Sequence, residues 1–182
     1  MKGNLLMDTM NTYAGVVFSP LEPTADDINI SDIAHALSLM CRGNGHTTYF
    51  FSVAQHSINC ALEAKARGYT RRVQLALLLH DASEAYLADI IRPVKKYIEE
   101  YYVIEKTLQD VIYKKYLKEQ ITDEEREFVK IVDDEILLWE LDAIISVDIE
   151  SLPPLSHQLI ICERNMKEVE NEFLTLFNEL SQ

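Results

Sequence analysis

Val73-Gln74-Leu75-Ala76-Leu77-Leu78-Leu79-His80-Asp81 decides the fold. Five consecutive apolar residues make a segment that is apolar nearly all round, the mark of a helix buried on every side. Thr70 stands where an N-cap belongs. The segment ends by carrying an imidazole and a carboxylate into the interior. A carboxylate at a buried helix end costs several kcal/mol unless it is paired or binds a metal.

Outward from this segment the chain reads as helices. Toward the N-terminus, a helix is expected from near Ser52 to Arg67, with His56, Ile58, Cys60 and Ala61 inside its pattern and Gly68 ending it. Before it, Asp32 is read as the cap of a helix over 33–41 that Arg42-Gly43-Asn44-Gly45 closes in a glycine turn. Toward the C-terminus, Pro93 interrupts a polar stretch and a long helix is expected over 94–118. Thr122-Asp123-Glu124-Glu125 matches a capping box that opens a helix through about Ile145. Pro153-Pro154 breaks the chain before a last amphipathic helix over 156–180. Residues 1–30 lack helical periodicity and read as an extended flap or small hairpin, with Tyr13, Val16, Val17 and Phe18 strand-like. The expectation is an all-α bundle at 31–182 carrying a short extended flap at 1–30.

The 182 residues suffice for one continuous core, and five Gly and five Pro leave few turn signals. A net charge of −13 speaks against a nucleic-acid polymer as partner. It does not exclude a nucleotide, because a bound cation reverses the field locally. Cys41, Cys60 and Cys162 lie far apart with no CxxC pair, so neither a disulfide framework nor a thiolate zinc site is expected. Cys60 and Cys162 read as reduced, buried small residues. With no positively charged apolar leader and no apolar run near the roughly 18 residues of a membrane span, the expectation is a cytoplasmic protein with no membrane partner.

Asp133 lies in the apolar pattern of Val129, Val132, Ile136 and Leu137. It is in phase with Ile136, Leu137 and Glu140 at spacings of three, four and seven, which turns it inward. Alone, a His-Asp dipeptide or a helical histidine is more often structural. Three uncompensated polar sites in one core point to a shared partner. Two imidazoles and two carboxylates (His56, His80, Asp81, Asp133) suit one divalent transition metal, Mn, Co, Fe, Ni or Zn, better than Ca or Cu. Glu140 faces the core beside them.

The order His56, His80-Asp81, Asp133 resembles the H…HD…D signature of the HD superfamily of metal-dependent phosphohydrolases. Ser52-Val53-Ala54-Gln55-His56-Ser57 and His80-Asp81-Ala82-Ser83-Glu84, followed by Asp89 and Pro93-Val94-Lys95, are similar to bacterial 5'-deoxynucleotidases and to small HD hydrolases of bacteria and phages. The likeness runs over roughly residues 12–145. It implies an all-α fold with His56, His80, Asp81 and Asp133 as ligands, Asp133 being preferred to Asp134 because it shares a face with Leu137 and Glu140. It also implies Glu84 as an acid beside the site, Asp89 as general acid or base, and Arg42 as the arginine that binds substrate phosphate. Lys95 matches a family lysine, and His46 is a weaker phosphate-binding candidate at the rim. Gly43 departs from the family, where an aromatic often follows the arginine.

The activity this implies is hydrolysis of a nucleotide phosphoester, first of all the 5'-monophosphate of a deoxynucleoside. A dNTP triphosphohydrolase is the alternative enzyme, which basic residues at the mouth (Arg71, Arg72, Arg92, Lys95, Lys96) would favour. A non-catalytic metal- or nucleotide-binding regulatory module and a helix-mediated interaction protein are the remaining classes. Tyr97, Tyr101 and Tyr102 offer a face for a homo-oligomer.

Overall fold

A computed structural model describes residues 8–182. Within them the chain is all-α: seven α-helices and one two-stranded ribbon. The helices are α1 (Ile30–Leu39), α2 (Val53–Ala66), α3 (Arg71–Leu78), α4 (Arg92–Lys95), α5 (Glu99–Leu117), α6 (Asp123–Ile144) and α7 (Met166–Leu180). Strands β1 (Met10–Asn11) and β2 (Val17–Phe18) pair antiparallel, Met10 opposite Phe18. The part of the expected flap at residues 1–7 lies outside the described residues. The remainder is no loose arm: Phe18 and Ile28 are buried in the main core, and Phe18 stacks on Tyr86 at 4.3 Å.

Local chemistry fixes most helix ends. Ser52 and Thr122 each accept from the backbone N–H three residues on, while Gln55 and Glu125 return the bond, so both form capping boxes. Thr70 caps α3 through Val73 N–H. α1 begins earlier than the 33–41 expected, because Asn29 rather than Asp32 is its cap. Asp32 lies inside the first turn, where its carboxylate accepts from Ala14 N–H at 2.5 Å and pins the ribbon.

The helix expected over 94–118 is two. Ile98 leaves the helical path (φ −117°, ψ 79°), and α5 restarts at Glu99-Glu100, acids that suit a helix N-terminus. The last helix begins at Met166, not 156. Residues 156–162 form an extended strap whose backbone bonds to side chains of α2 instead of to itself. Glu63 accepts from Ser156 and His157 N–H; Asn59 accepts from Ile160 N–H; Gln55 donates to Cys162 C=O. Cys162, expected buried, is exposed on this strap, whereas Cys60 is buried as expected.

α2 sits at the centre, packed against α1, α3, α6 and α7, and α3 lies beside it. One apolar cluster joins the ribbon, α1, α3, α5 and α7. A smaller one, with Cys60, Val73, Leu77, Val132 and Ile136, joins α2, α3 and α6 under the candidate site.

Arg72 secures the α5–α6 corner. It donates to the carbonyls of Leu117 (2.6 Å) and Gln120 (2.9 Å) and to Glu125 (2.8 Å). Arg72→Ala leaves these acceptors without their donor and is expected to cost about 1–2 kcal/mol in urea unfolding. Metal binding should be unchanged, since Arg72 serves this corner and not the site.

Candidate metal centre

Three elements deliver the cluster. α2 contributes His56, wholly buried. The chain leaving α3 presents His80 and Asp81 just past the Leu79 cap, after which Ala82–Ala85 form a 3-10 turn. α6 contributes Asp133 and, two turns later, Glu140. His56 Nε2 lies 3.2 Å from His80 Nε2, 3.1 Å from Asp133 Oδ1 and 3.9 Å from Asp81 Oδ2. His80 Nε2 is 3.3 Å from Asp81 Oδ2 and 3.7 Å from Asp133 Oδ1. The four side chains expected from the sequence thus converge. Asp134 turns outward to Arg92 and Lys130.

The other ring nitrogens are committed. His56 Nδ1 donates to Glu140 Oε1 at 2.8 Å, and His80 Nδ1 donates to Leu77 C=O at 2.6 Å. Both Nε2 atoms therefore face each other as lone pairs when the rings are neutral, a repulsive arrangement that an electrophile between them resolves. Buried Glu140 also accepts from Arg42 at 3.2 Å, and Arg42 reaches Asp81 at 3.4 Å. Arg42 is held in place by the turn Arg42–Gly45. Gly43, Asn44 and Gly45 there all take left-handed φ (57°, 53°, 78°), conformations that glycine adopts freely.

Charge accounting points the same way. With neutral imidazoles, Asp81, Asp133 and Glu140 set against Arg42, and against Arg92 on the outer oxygen of Asp133, still leave a mostly buried cluster that is net negative. Free of metal, the protein gathers protons instead. Burial and the nearby Arg42 oppose charge on His56, yet Cys60, Glu140 and Asp133 raise its pKa well above the usual value. His80 is raised too, with burial outweighed by Asp81 and Asp133. Asp133 is half-buried, and although that burial works against its charge, the two histidines hold it far below the carboxylate range.

Sequence reasoning gave no site role to two neighbours. Cys60, one turn past His56, puts Sγ 3.5 Å from His56 Nε2, and the cluster His56–Cys60–His80 can hold a metal ion. Burial pushes the Cys60 thiol up to about 11. The four-residue spacing from His56 was the available signal. Arg92, counted before only among loose basic residues, donates to Asp133 Oδ2 at 2.5 Å and to Asp134 at 2.6 Å. No sequence signal marks that pairing.

The remaining candidates spread outward. Glu84 is buried, with Oε2 unpartnered, and burial followed by the charges of Asp81 and Asp89 raises its pKa well above normal. Asp89 is raised mainly by burial, with the field of Arg42 opposing. It follows Ala88, whose φ of 144° is costly for any residue but glycine and whose carbonyl is held by Tyr101 Oη at 2.6 Å. Lys95 pairs with Glu105 and lines the cavity that reaches His80 and Asp81. His46 is exposed at the end of the glycine turn.

Two outcomes are expected. Glu140→Gln keeps the shape but removes the charge behind His56, and should weaken divalent-metal binding about 10–100-fold by calorimetry. Metal must also displace protons from histidines whose folded pKa values are raised. The stability those protons confer is full below the unfolded pKa, about 6.5, and is lost as pH rises through the folded values. The rise in melting temperature on adding Mn should therefore be larger at about pH 8.5 than at about pH 6.

Among the described residues no helix is long and apolar enough to cross a membrane. No family model matches the chain. It is 37% identical over 110 residues to the uncharacterized protein YfdR of Escherichia coli strain K12, an alignment covering 60% of this chain and 59% of YfdR. It is 51% identical over 87 residues to the uncharacterized protein RCAP_rcc00048 of Rhodobacter capsulatus, covering 46% of this chain and 44% of that protein. The chain spans about six tenths of the first relative's length and under half of the second's.

Proposed function

We propose that this protein is a metal-dependent phosphohydrolase of the HD superfamily acting on nucleotides, with 5'-monophosphates of deoxynucleosides as its substrates. The observation that carries the reading is the net-negative cluster. Two imidazole nitrogens with fixed tautomers and two carboxylate oxygens converge there, beside a buried carboxyl that has no partner. His56, His80, Asp81 and Asp133 would hold one divalent cation. Nitrogen and oxygen donors in this ratio suit Mn, Fe, Co, Ni or Zn. Cys60 Sγ stands beside these four, 3.5 Å from His56 Nε2.

Such a cation supplies Lewis-acid polarisation of a phosphoryl oxygen and lowers the pKa of water beside it. The chain's own groups do the rest. Glu84, three residues past Asp81, is pushed toward its protonated form by burial and by the charges of Asp81 and Asp89. It is suited to donate that proton to the leaving oxygen or to orient water. Asp89, also raised, is the second proton carrier, aimed by the strained Ala88 peptide. Arg42 spends some donors on Glu140 and Asp81, and its remaining N–H groups can meet phosphate. Support for a triphosphate substrate is weak: Arg72 is committed to the α5–α6 corner, and Arg92 and Lys95 already pair with acids.

The test is phosphate release from dNMP and dNTP panels with Mn, Co, Zn or Mg. Orthophosphate from dNMPs is expected. The rate should fall roughly 10³-fold in His80→Ala and Asp81→Ala, and about 10²-fold or more in Glu84→Gln. Cys60→Ala should keep metal binding. Triphosphate as the product would move the assignment to a dNTP triphosphohydrolase. No release from any nucleotide by metal-loaded protein would sink the nucleotide assignment.

A further inference from the structure

Two cavities share lining residues near the cluster. One, of about 180 Å³, reaches His80 and Asp81. It is smaller than the roughly 300–1,000 Å³ of sites that enclose a whole organic ligand, and is of a size for a phosphoryl group and water. The other, about 470 Å³, falls inside that range and is lined by Arg92, Lys95, Lys96, Glu99, Tyr102 and Val103. Lys95 and Tyr102 line both, which sets the outer cavity beside the inner one along α4 and the first turn of α5.

The outer cavity has chemistry of its own. Tyr102 and Val103 are 60% and 62% exposed, apolar surface that neither core cluster uses. Arg92 and Lys95 are fixed by Asp133, Asp134 and Glu105 and make a rigid near wall. Lys96 has no carboxylate partner and rests 5.0 Å above the Tyr97 ring, free to donate hydrogen bonds into the space. A flat aromatic wall and one uncommitted donor, beyond a compartment of phosphate size, describe the nucleoside half of a nucleotide.

We infer that the outer cavity is the nucleoside subsite, in which the base lies against Tyr102 and its carbonyl or ring-nitrogen acceptors meet Lys96. This rests on the phosphohydrolase reading for the placing of the phosphate, but the contact with the base is independent of hydrolysis. Aromatic stacking tolerates any base, so affinity is gained with little discrimination among bases.

The experiment is calorimetric binding to Mn-loaded protein of non-hydrolysable phosphonate analogues of dAMP, dTMP and 2-deoxyribose 5-phosphate. The nucleotide analogues should bind about tenfold or more tightly than the base-less one. Tyr102→Ala should remove that advantage while moving Mn affinity and the base-less analogue less than twofold, and Tyr102→Phe should restore it. Equal affinity for all three analogues overturns the subsite, as does a Tyr102→Ala loss shared alike by all three. A dNTP analogue that gains affinity through Lys96 but not through Tyr102 also overturns it, since the cavity would then take phosphates. Wild type that binds the analogues by this pattern yet releases no phosphate from the corresponding dNMPs overturns the hydrolase reading and leaves the subsite standing.

Discussion

The bond from His56 to Glu140 is the constraint on which the rest of the site depends. Both residues are buried, His56 completely and Glu140 to 2% exposure, so neither can turn to water for a partner. Breaking such a pair from one side leaves an uncompensated buried charge and costs about 3–5 kcal/mol. The bond therefore fixes the rotation of α6 against α2. Asp133 sits seven residues before Glu140 on the same face, so that rotation also places its carboxylate beside His56 Nε2. One contact thereby sets the tautomer of one imidazole and the position of a carboxylate opposite it.

α2 can carry this because its three faces do different work. Val53, Ala54, Ile58 and Ala61 join the main core. His56 and Cys60, four apart, face the cluster. Gln55, Asn59 and Glu63, again at spacings of four, face the strap 156–162 and satisfy its backbone. The helix is buried nearly all round without being apolar all round, and its polar rows hydrogen-bond instead of meeting solvent. An extended segment lying over the bundle is stable only with such a row beneath it, because its N–H and C=O groups have no strand to pair with.

Much of this was legible in the chain. Helical phase alone turned Asp133 and Glu140 inward, and the apolar run before His80-Asp81 placed a charged pair where charge is costly. Capping chemistry located the starts of α2, α3 and α6. The strap was not legible as extended, because Leu155 and Leu159 keep a helix-like spacing. What overrides that spacing is long-range hydrogen bonding to Gln55, Asn59 and Glu63, three buried polar residues whose unexplained regularity was the one clue. Arg92 escaped notice because its partner lies 41 residues on, across a contact that no local pattern encodes. The start of α1 was misplaced because Asn29 and Asp32 are both good caps, and only the ribbon's claim on Asp32 decides between them.

A chain of net charge −13 repels anions over most of its surface, so where an anionic ligand enters depends on how its few cations are arranged. Arg92, Lys95 and Lys96 gather on the short α4 and just beyond it, beside the acids of the candidate metal site. Arg92 joins the two regions directly. It grips the Asp133 oxygen that faces away from the histidines, while its own side chain walls the outer cavity. That grip leaves Asp133 a single oxygen to offer a cation. The acidic cluster and the outer cavity thus meet at one guanidinium.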